Sequence, residues 1–185
     1  NITPNASSRI YDDKGRLITT VHAEENRIPV PISQVPQNLQ NAFVAAEDVR
    51  FYEHHGVDPR GILRAVFANL TSGNATGQGG STITQQLARN AFLTQEQTLK
   101  RKLLEVVLAF EIENKYTKKQ ILEMYMNQIY FGQGCYGIQT AAHVYFGKDV
   151  KDLSLSQCAM LAGLPNSPNY YSPFRSLEAA KYRQG

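Results

Sequence analysis

The sequence predicts a mainly α-helical domain with a small β appendage at its N-terminus. Three observations predict it. Apolar residues recur every three or four positions through most of the chain after position 37, the period of a helix with one apolar side. Capping signals stand ahead of several such stretches: Asp58-Pro59, and the pairs Thr94/Gln97 and Thr117/Gln120 with the S/T-x-x-Q spacing of a capping box. The strand-like pattern lies before position 22.

The elements follow in order. Arg9-Ile10-Tyr11, the Asp-Asp-Lys-Gly turn at 12–15 and Arg16 through Val21 read as a hairpin, with Gly15 supplying the turn. Pro29, Pro31 and Pro36 make 26–37 an extended connector. Asn38 is the expected cap of a helix through Asp48, with Leu39, Ala42, Phe43 and Ala46 on one side. After Asp58-Pro59, Ile62, Leu63, Val66, Phe67 and Leu70 form an apolar stripe. Four glycines in 72–80 predict a mobile loop, and Ser81 is the expected start of the next helix, with Ile83, Leu87 and Ala91 on one face. The helix after Thr94 carries Leu99, Leu103, Val106, Val107, Phe110 and Ile112 and is expected to be long and buried. Thr117 opens a helix with Ile121, Leu122, Tyr125 and Ile129. Further helices are expected at 137–146, 154–163 and 176–183. The domain division expected is 1–37, hairpin and connector, and 38–185, the helical catalytic domain.

With 185 residues, 42% hydrophobic and 19% charged, the chain can build one core without a disulfide or metal staple. Cys135 and Cys158 match no metal or redox spacing; two unpaired thiols is the favoured reading, with a single bridge between them as the alternative. A net charge of +3 suits an anionic partner such as phosphate or an acidic membrane surface and is too weak to argue for nucleic acid. No apolar run reaches the roughly 18 residues of a membrane span. The first residue is Asn rather than Met, and the chain reads as a piece of a longer protein.

Nucleophile motifs of the Ser-x-x-Lys and Gly-x-Ser-x-Gly kind are absent, as are a P-loop and His-Glu-x-x-His, and His22, His54, His55 and His143 have no zinc spacing. Polar clusters on otherwise apolar helices remain. Glu47 follows Phe43-Val44-Ala45-Ala46, where partial desolvation would make its carboxylate a better base. By composition alone, an exposed helix end with Glu47 and Asp48 paired to Arg50 is the favoured reading. His54 and His55 read as loop residues. Ser81, Thr82, Thr84, Gln85, Gln86 and Arg89 follow two glycines at a helix start, a seat for phosphate or sugar oxygens as much as a solvated face. Arg101 and Glu105 share a helix face, as Lys102 and Glu105 nearly do, by default as a salt bridge, although base-before-acid is the weaker order. With Arg64 and Arg89 they could offer several cations to a diphosphate. Glu123 and Asn127, four apart, read first as hydrogen-bonding anchors to a neighbouring element.

Taken together and in this order, the segments resemble the peptidoglycan glycosyltransferase family, the transglycosylase domain of bifunctional penicillin-binding proteins and of monofunctional glycosyltransferases. The family's E-D-x-x-F-x-x-H-x-G matches Glu47, Asp48, Phe51, His54 and Gly56; G-x-S-T-I-T-Q-Q matches Gly79 to Gln86; R-K-x-x-E matches Arg101, Lys102 and Glu105; and K-x-x-I-L-E-x-Y-x-N matches Lys118 to Asn127. The likeness runs from about Ser8 to the end. Three departures accompany it. The family's closing Arg-rich motif is only begun at Arg183, Gln97 stands where many members carry Arg, and Arg89 where they carry Lys.

The resemblance implies a lysozyme-like helical fold of two lobes. It implies polymerisation of lipid II into β-1,4-linked glycan by inverting single displacement, with undecaprenyl diphosphate leaving. Glu47 would be the base on the acceptor 4-hydroxyl, and Glu105 the second catalytic carboxylate. Substrate would be bound by Asp48, Phe51, His54, Arg64, Ser81, Thr82, Gln85, Gln86, Arg89, Asn90, Arg101, Lys102, Glu123 and Asn127. No protein metal site is implied; the one cofactor admitted is a divalent cation, Mg or Mn, beside the diphosphate. The implied partners are lipid II and the growing glycan, the outer face of the bacterial cytoplasmic membrane, a C-terminal transpeptidase domain and other cell-wall synthesis proteins, with no nucleic acid. Lipid contact is expected between Val66 and Leu93, including Phe67, Leu70 and Phe92. The competing readings are a lysozyme-type hydrolase and a non-catalytic lipid-binding module.

Overall fold

The computed structural model describes residues 8–11, 17–21, 27–72, 80–92 and 99–166. It is mainly α. The strands β1 (Ser8–Tyr11) and β2 (Leu17–Val21) pair antiparallel, with an irregularity between Ile10 and Tyr11. Seven α-helices follow among the described residues: α1 (Gln37–Glu47), α2 (Pro59–Ser72), α3 (Ile83–Phe92), α4 (Leu99–Lys115), α5 (Lys118–Gln128), α6 (Ile138–Phe146) and α7 (Leu155–Gly163). The turn at 12–15, the glycine run 73–79, the Thr94/Gln97 box and the helix expected at 176–183 lie outside the described residues.

Helix α1 starts one residue before its expected cap. Pro36, with φ −52° and ψ 137°, precedes Gln37, and Asn38 lies inside the helix. Proline holds φ near the helical value at no cost in hydrogen bonds, since an N-terminal N–H would have had no partner in the helix. The buried side of α1 is Leu39, Gln40, Phe43 and Val44, while Ala46 is exposed. It packs on α7, and Phe43 meets Tyr125 and Phe131 edge to face at 6.1 Å. The core gathers around this contact with Ile83 and Leu87 of α3, Ile121, Leu122 and Met126 of α5, Ile138 and Ala141 of α6, and Leu161. Val30 and Val35 of the proline-rich connector join it.

The Thr117/Gln120 capping box forms as the sequence predicts. Two further boxes carry the same S/T-x-x-Q signal. Ser154 and Gln157 start α7, and Thr82 and Gln85 exchange side-chain bonds to backbone N–H groups of 3.0 and 3.1 Å. The cap of α3 is therefore Thr82 rather than Ser81. Gly147 closes α6 in the left-handed conformation. Both cysteines are buried free thiols.

Helix α4 overturns an expectation. Its large apolar side chains face outward: Leu99, Leu103, Val107 and Phe110 are all exposed, Leu103 by 70%. The side turned inward is Glu105, Ala109 and Ile112. The reason is a close main-chain approach. Gly56 has φ +92°, and a Cβ placed there would lie 3.1 Å from the carbonyl carbon and oxygen of Ala109. Only glycine at position 56 allows the two backbones so near, and that contact bears on which side of α4 faces in. The α2 stripe is likewise open to solvent at Ile62, Leu63 and Phe67.

Candidate active site

Asp48, the residue after α1, leaves the helix with φ −159° and sends its carboxylate to the start of α3. Its Oδ2 accepts from the Ile83 N–H at 3.0 Å and lies 2.8 Å from His54 Nε2. Gly56 N–H donates to His54 Nδ1 at 3.2 Å, which leaves Nε2 as the protonated nitrogen that donates to Asp48. Thr82 Oγ1 donates to the Gly56 carbonyl at 2.6 Å. The loop 48–56 is thereby tied to the α3 N-terminus at both ends. The anion there is a protein carboxylate, which satisfies a backbone donor that the helix leaves open.

One residue earlier, Glu47 is half-buried at the end of α1. Gln86 Nε2 donates to its Oε2 at 3.1 Å, and Tyr125 Oη donates to Gln86 Oε1 at 3.3 Å. Tyr125 is wholly buried. Burial first, then the charges of Glu47 and Asp48, push its hydroxyl well above the usual tyrosine range, with Arg89 acting the other way. Its proton is held, and in the contact with Gln86 the hydroxyl is the donor.

A second centre lies at the other end of the same segment. Lys102 Nζ donates to Ser81 Oγ at 2.7 Å and to Glu105 Oε1 at 2.6 Å. Glu105 is fully buried, and its Oε2 has no hydrogen-bond partner among the described residues. A buried carboxylate balanced by one half-exposed ammonium depends strongly on that cation. The sequence pairs Glu105 with Arg101 by default; the structure pairs it with Lys102, three positions before it and on the same side of α4.

The remaining expected residues divide into two groups. Phe51 is buried against Tyr52, His54 and the Lys118 ammonium, 4.6 Å from its ring centre. Gln85 is buried in the α3 cap. Asn127 exchanges bonds of 2.9 and 3.0 Å with the Val30 backbone, and Glu123 Oε2 accepts from Ile32 N–H at 2.7 Å. Those four make contacts within the framework, of the kind the anchoring reading of Glu123 and Asn127 expects. By contrast Arg64 and Asn90 are exposed, and Arg89 and Arg101 are half-buried. The Arg50 pairing expected with Glu47 and Asp48 goes instead to Asp58, through two hydrogen bonds of 3.2 and 2.5 Å. Sequence reasoning missed Tyr125 as a site residue, because its apolar neighbours at helical spacing mark it as core. It also missed Glu113, which accepts from Thr84 and Lys118.

Among the described residues no three His, Cys, Asp or Glu side chains gather to hold a metal ion.

A family model described as Transglycosylase matches residues 14–185. The chain belongs to the transglycosylase family and is a glycosyltransferase domain. It is 48% identical to penicillin-binding protein 1F of Bacillus subtilis over 97% of this chain and 25% of that protein. It is 50% identical to penicillin-binding protein 1A of Aquifex aeolicus, covering 98% and 25%, and 52% identical to penicillin-binding protein 1A of Escherichia coli, covering 95% and 20%. It thus spans a quarter or less of these curated relatives. A crystal structure of penicillin-binding protein 1A from Haemophilus influenzae aligns with 99% of this chain and 17% of that one, at TM-score 0.47 and 26% identity.

Proposed function

We propose that the domain polymerises lipid II into β-1,4-linked glycan by a single displacement at the sugar carbon bearing undecaprenyl diphosphate. Glu47 takes the proton from the acceptor 4-hydroxyl. Lys102, with Arg101, Arg89 and Arg64, balances the charge that grows on the departing diphosphate, and Glu105 holds Lys102 in place.

One observation carries this reading. Base and cation are both attached to the segment that begins α3: Gln86 holds Glu47, and Ser81 holds Lys102. The two holders stand five positions apart where the chain enters α3, so one short segment carries both proton acceptor and cation. No covalent nucleophile is needed. A hydrolase would need its acid and a water, and has no use for the cations.

The same reading places the domain at the outer face of the bacterial cytoplasmic membrane. The outward apolar side chains of α2 and α4, Phe67 and Leu103 among them, supply surface for a lipid-borne substrate. No helix among the described residues is long and apolar enough to cross a membrane. A two-lobed lysozyme-like arrangement, the 1–37 and 38–185 division, and a transpeptidase domain elsewhere in the parent protein belong to the proposal too.

The test is a gel of products from fluorescent lipid II. The reading expects a ladder of glycan strands that disappears with a moenomycin-type phosphoglycolipid. Absence of product overturns it. Release of soluble muropeptides from purified peptidoglycan would favour the hydrolase instead.

A further inference from the structure

From the chain of contacts between α5, α3 and α1 we infer that Tyr125 is a positioning residue for the transfer reaction, fixing the orientation of the Gln86 amide so that its NH₂ faces Glu47. The inference rests on the reading of Glu47 as base.

A glutamine amide has two ends of opposite character. With the NH₂ toward Glu47 it donates to the ionised carboxylate; turned over, it presents its oxygen, which repels the carboxylate and suits only the protonated acid. Nothing in Gln86 itself selects between these states. The selection comes from the other end of the amide. Tyr125 Oη lies 3.3 Å from Gln86 Oε1, while Gln86 Nε2 lies 3.1 Å from Glu47 Oε2.

A phenol can in general donate or accept, so the bias depends on its holding its proton and having that proton aimed at Gln86. Tyr125 is wholly buried, and burial together with the Glu47 and Asp48 charges keeps the hydroxyl protonated. Its ring is clamped edge to face against Phe43, 6.1 Å away on the helix that carries Glu47. In the 3.3 Å contact the phenol donates to Gln86 Oε1, which leaves the amide NH₂ for the base. Substrate need not touch Tyr125 for this to matter.

The experiment compares rate–pH profiles for glycan synthesis in the wild-type protein, Tyr125→Phe, Gln86→Ala and the double variant. Phenylalanine keeps the ring and its Phe43 contact and deletes only the donor. With the amide free to turn over, the protonated form of the base gains a partner. The acid limb of Tyr125→Phe then moves up by about one pH unit, the scale of one hydrogen bond to an ionised group. Gln86→Ala moves it similarly, and adding Tyr125→Phe to Gln86→Ala moves it no further.

An unmoved acid limb in Tyr125→Phe overturns the inference. So does a shift that persists in the Gln86→Ala background, because the phenol would then act by another route. If Tyr125→Phe fails to fold, the wild-type protein decides: the Gln86 side-chain ¹⁵N signals must titrate with the midpoint of the acid limb, and a slowly exchanging Tyr125 hydroxyl proton must be present. Absence of either is a refutation. Glu47→Gln separates the two levels. Full activity in that variant defeats the base assignment, whereas an inactive Glu47→Gln beside an unmoved Tyr125→Phe profile defeats only the positioning role.

Discussion

Asp48 caps the helix that begins at Ile83: its Oδ2 accepts the Ile83 backbone N–H at 3.0 Å across 35 residues of sequence. The same oxygen faces the proton on His54 Nε2. Because Asp48 adjoins Glu47, this contact fixes where the end of α1 stands relative to α3.

Replacing Asp48 should therefore depend on what replaces it. Asp48→Ala leaves two buried donors without an acceptor and is expected to cost about 2–3 kcal/mol in urea unfolding. Asp48→Asn can keep an oxygen in the same place and should cost less than half of that. Equal losses in the two variants would contradict the capping role.

Glu47→Gln removes the proton acceptor with little change in shape. Base catalysis of this kind contributes roughly 10²–10⁴-fold, so the rate of glycan synthesis should fall by that factor while lipid II affinity stays within about threefold. A rate near wild type refutes the assignment.

Gly56→Ala is expected to be among the most damaging single-methyl additions in the domain. It places an alanine at φ +92° and sets a methyl group 3.1 Å from the Ala109 carbonyl. Left-handed strain of about 1–2 kcal/mol and overpacking of about 1–3 kcal/mol should together lower stability by about 2–5 kcal/mol. Thermal or urea unfolding measures it; a loss under about 1 kcal/mol would show that α4 can step back.

Asp58 gives a pH dependence with a definite sign. Burial opposes its ionisation, but the hydrogen bonds from Arg50 and from the Gly61 N–H outweigh that, and the carboxyl titrates below the usual range. A folded value below the unfolded one, about 3.9, means that the stabilisation is complete above that pH and lost as pH falls through the folded value. Urea midpoints between roughly pH 5 and pH 2 should fall less steeply in Asp58→Asn than in wild type. Parallel slopes would rule out this contribution.

The sequence shows where helices begin better than which way they face. Thr117 and Gln120 cap α5 because the signal is local: two side chains and the two N–H groups they satisfy lie within four residues. The same rule, applied to Thr82 and Gln85, finds the α3 cap, but the neighbouring Ser81 masks it. For α4 the period marks an apolar side correctly. It cannot state that this side meets solvent, because the backbone contact between Gly56 and Ala109 decides that from 53 residues away. The site is legible as a set of residue types and illegible as partners. Lys102 reaches Ser81 across 21 residues and Gln86 reaches Glu47 across 39, distances over which spacing carries no geometry.

The close seat of Gly56 on Ala109 has an evolutionary corollary. A helix located by main-chain atoms keeps its screw angle when the side chains around it are exchanged for others of similar bulk. Leucine, isoleucine and valine elsewhere in the interior can then be exchanged without rotating Glu105 out of register, while a side chain in place of Gly56 would press on the α4 main chain.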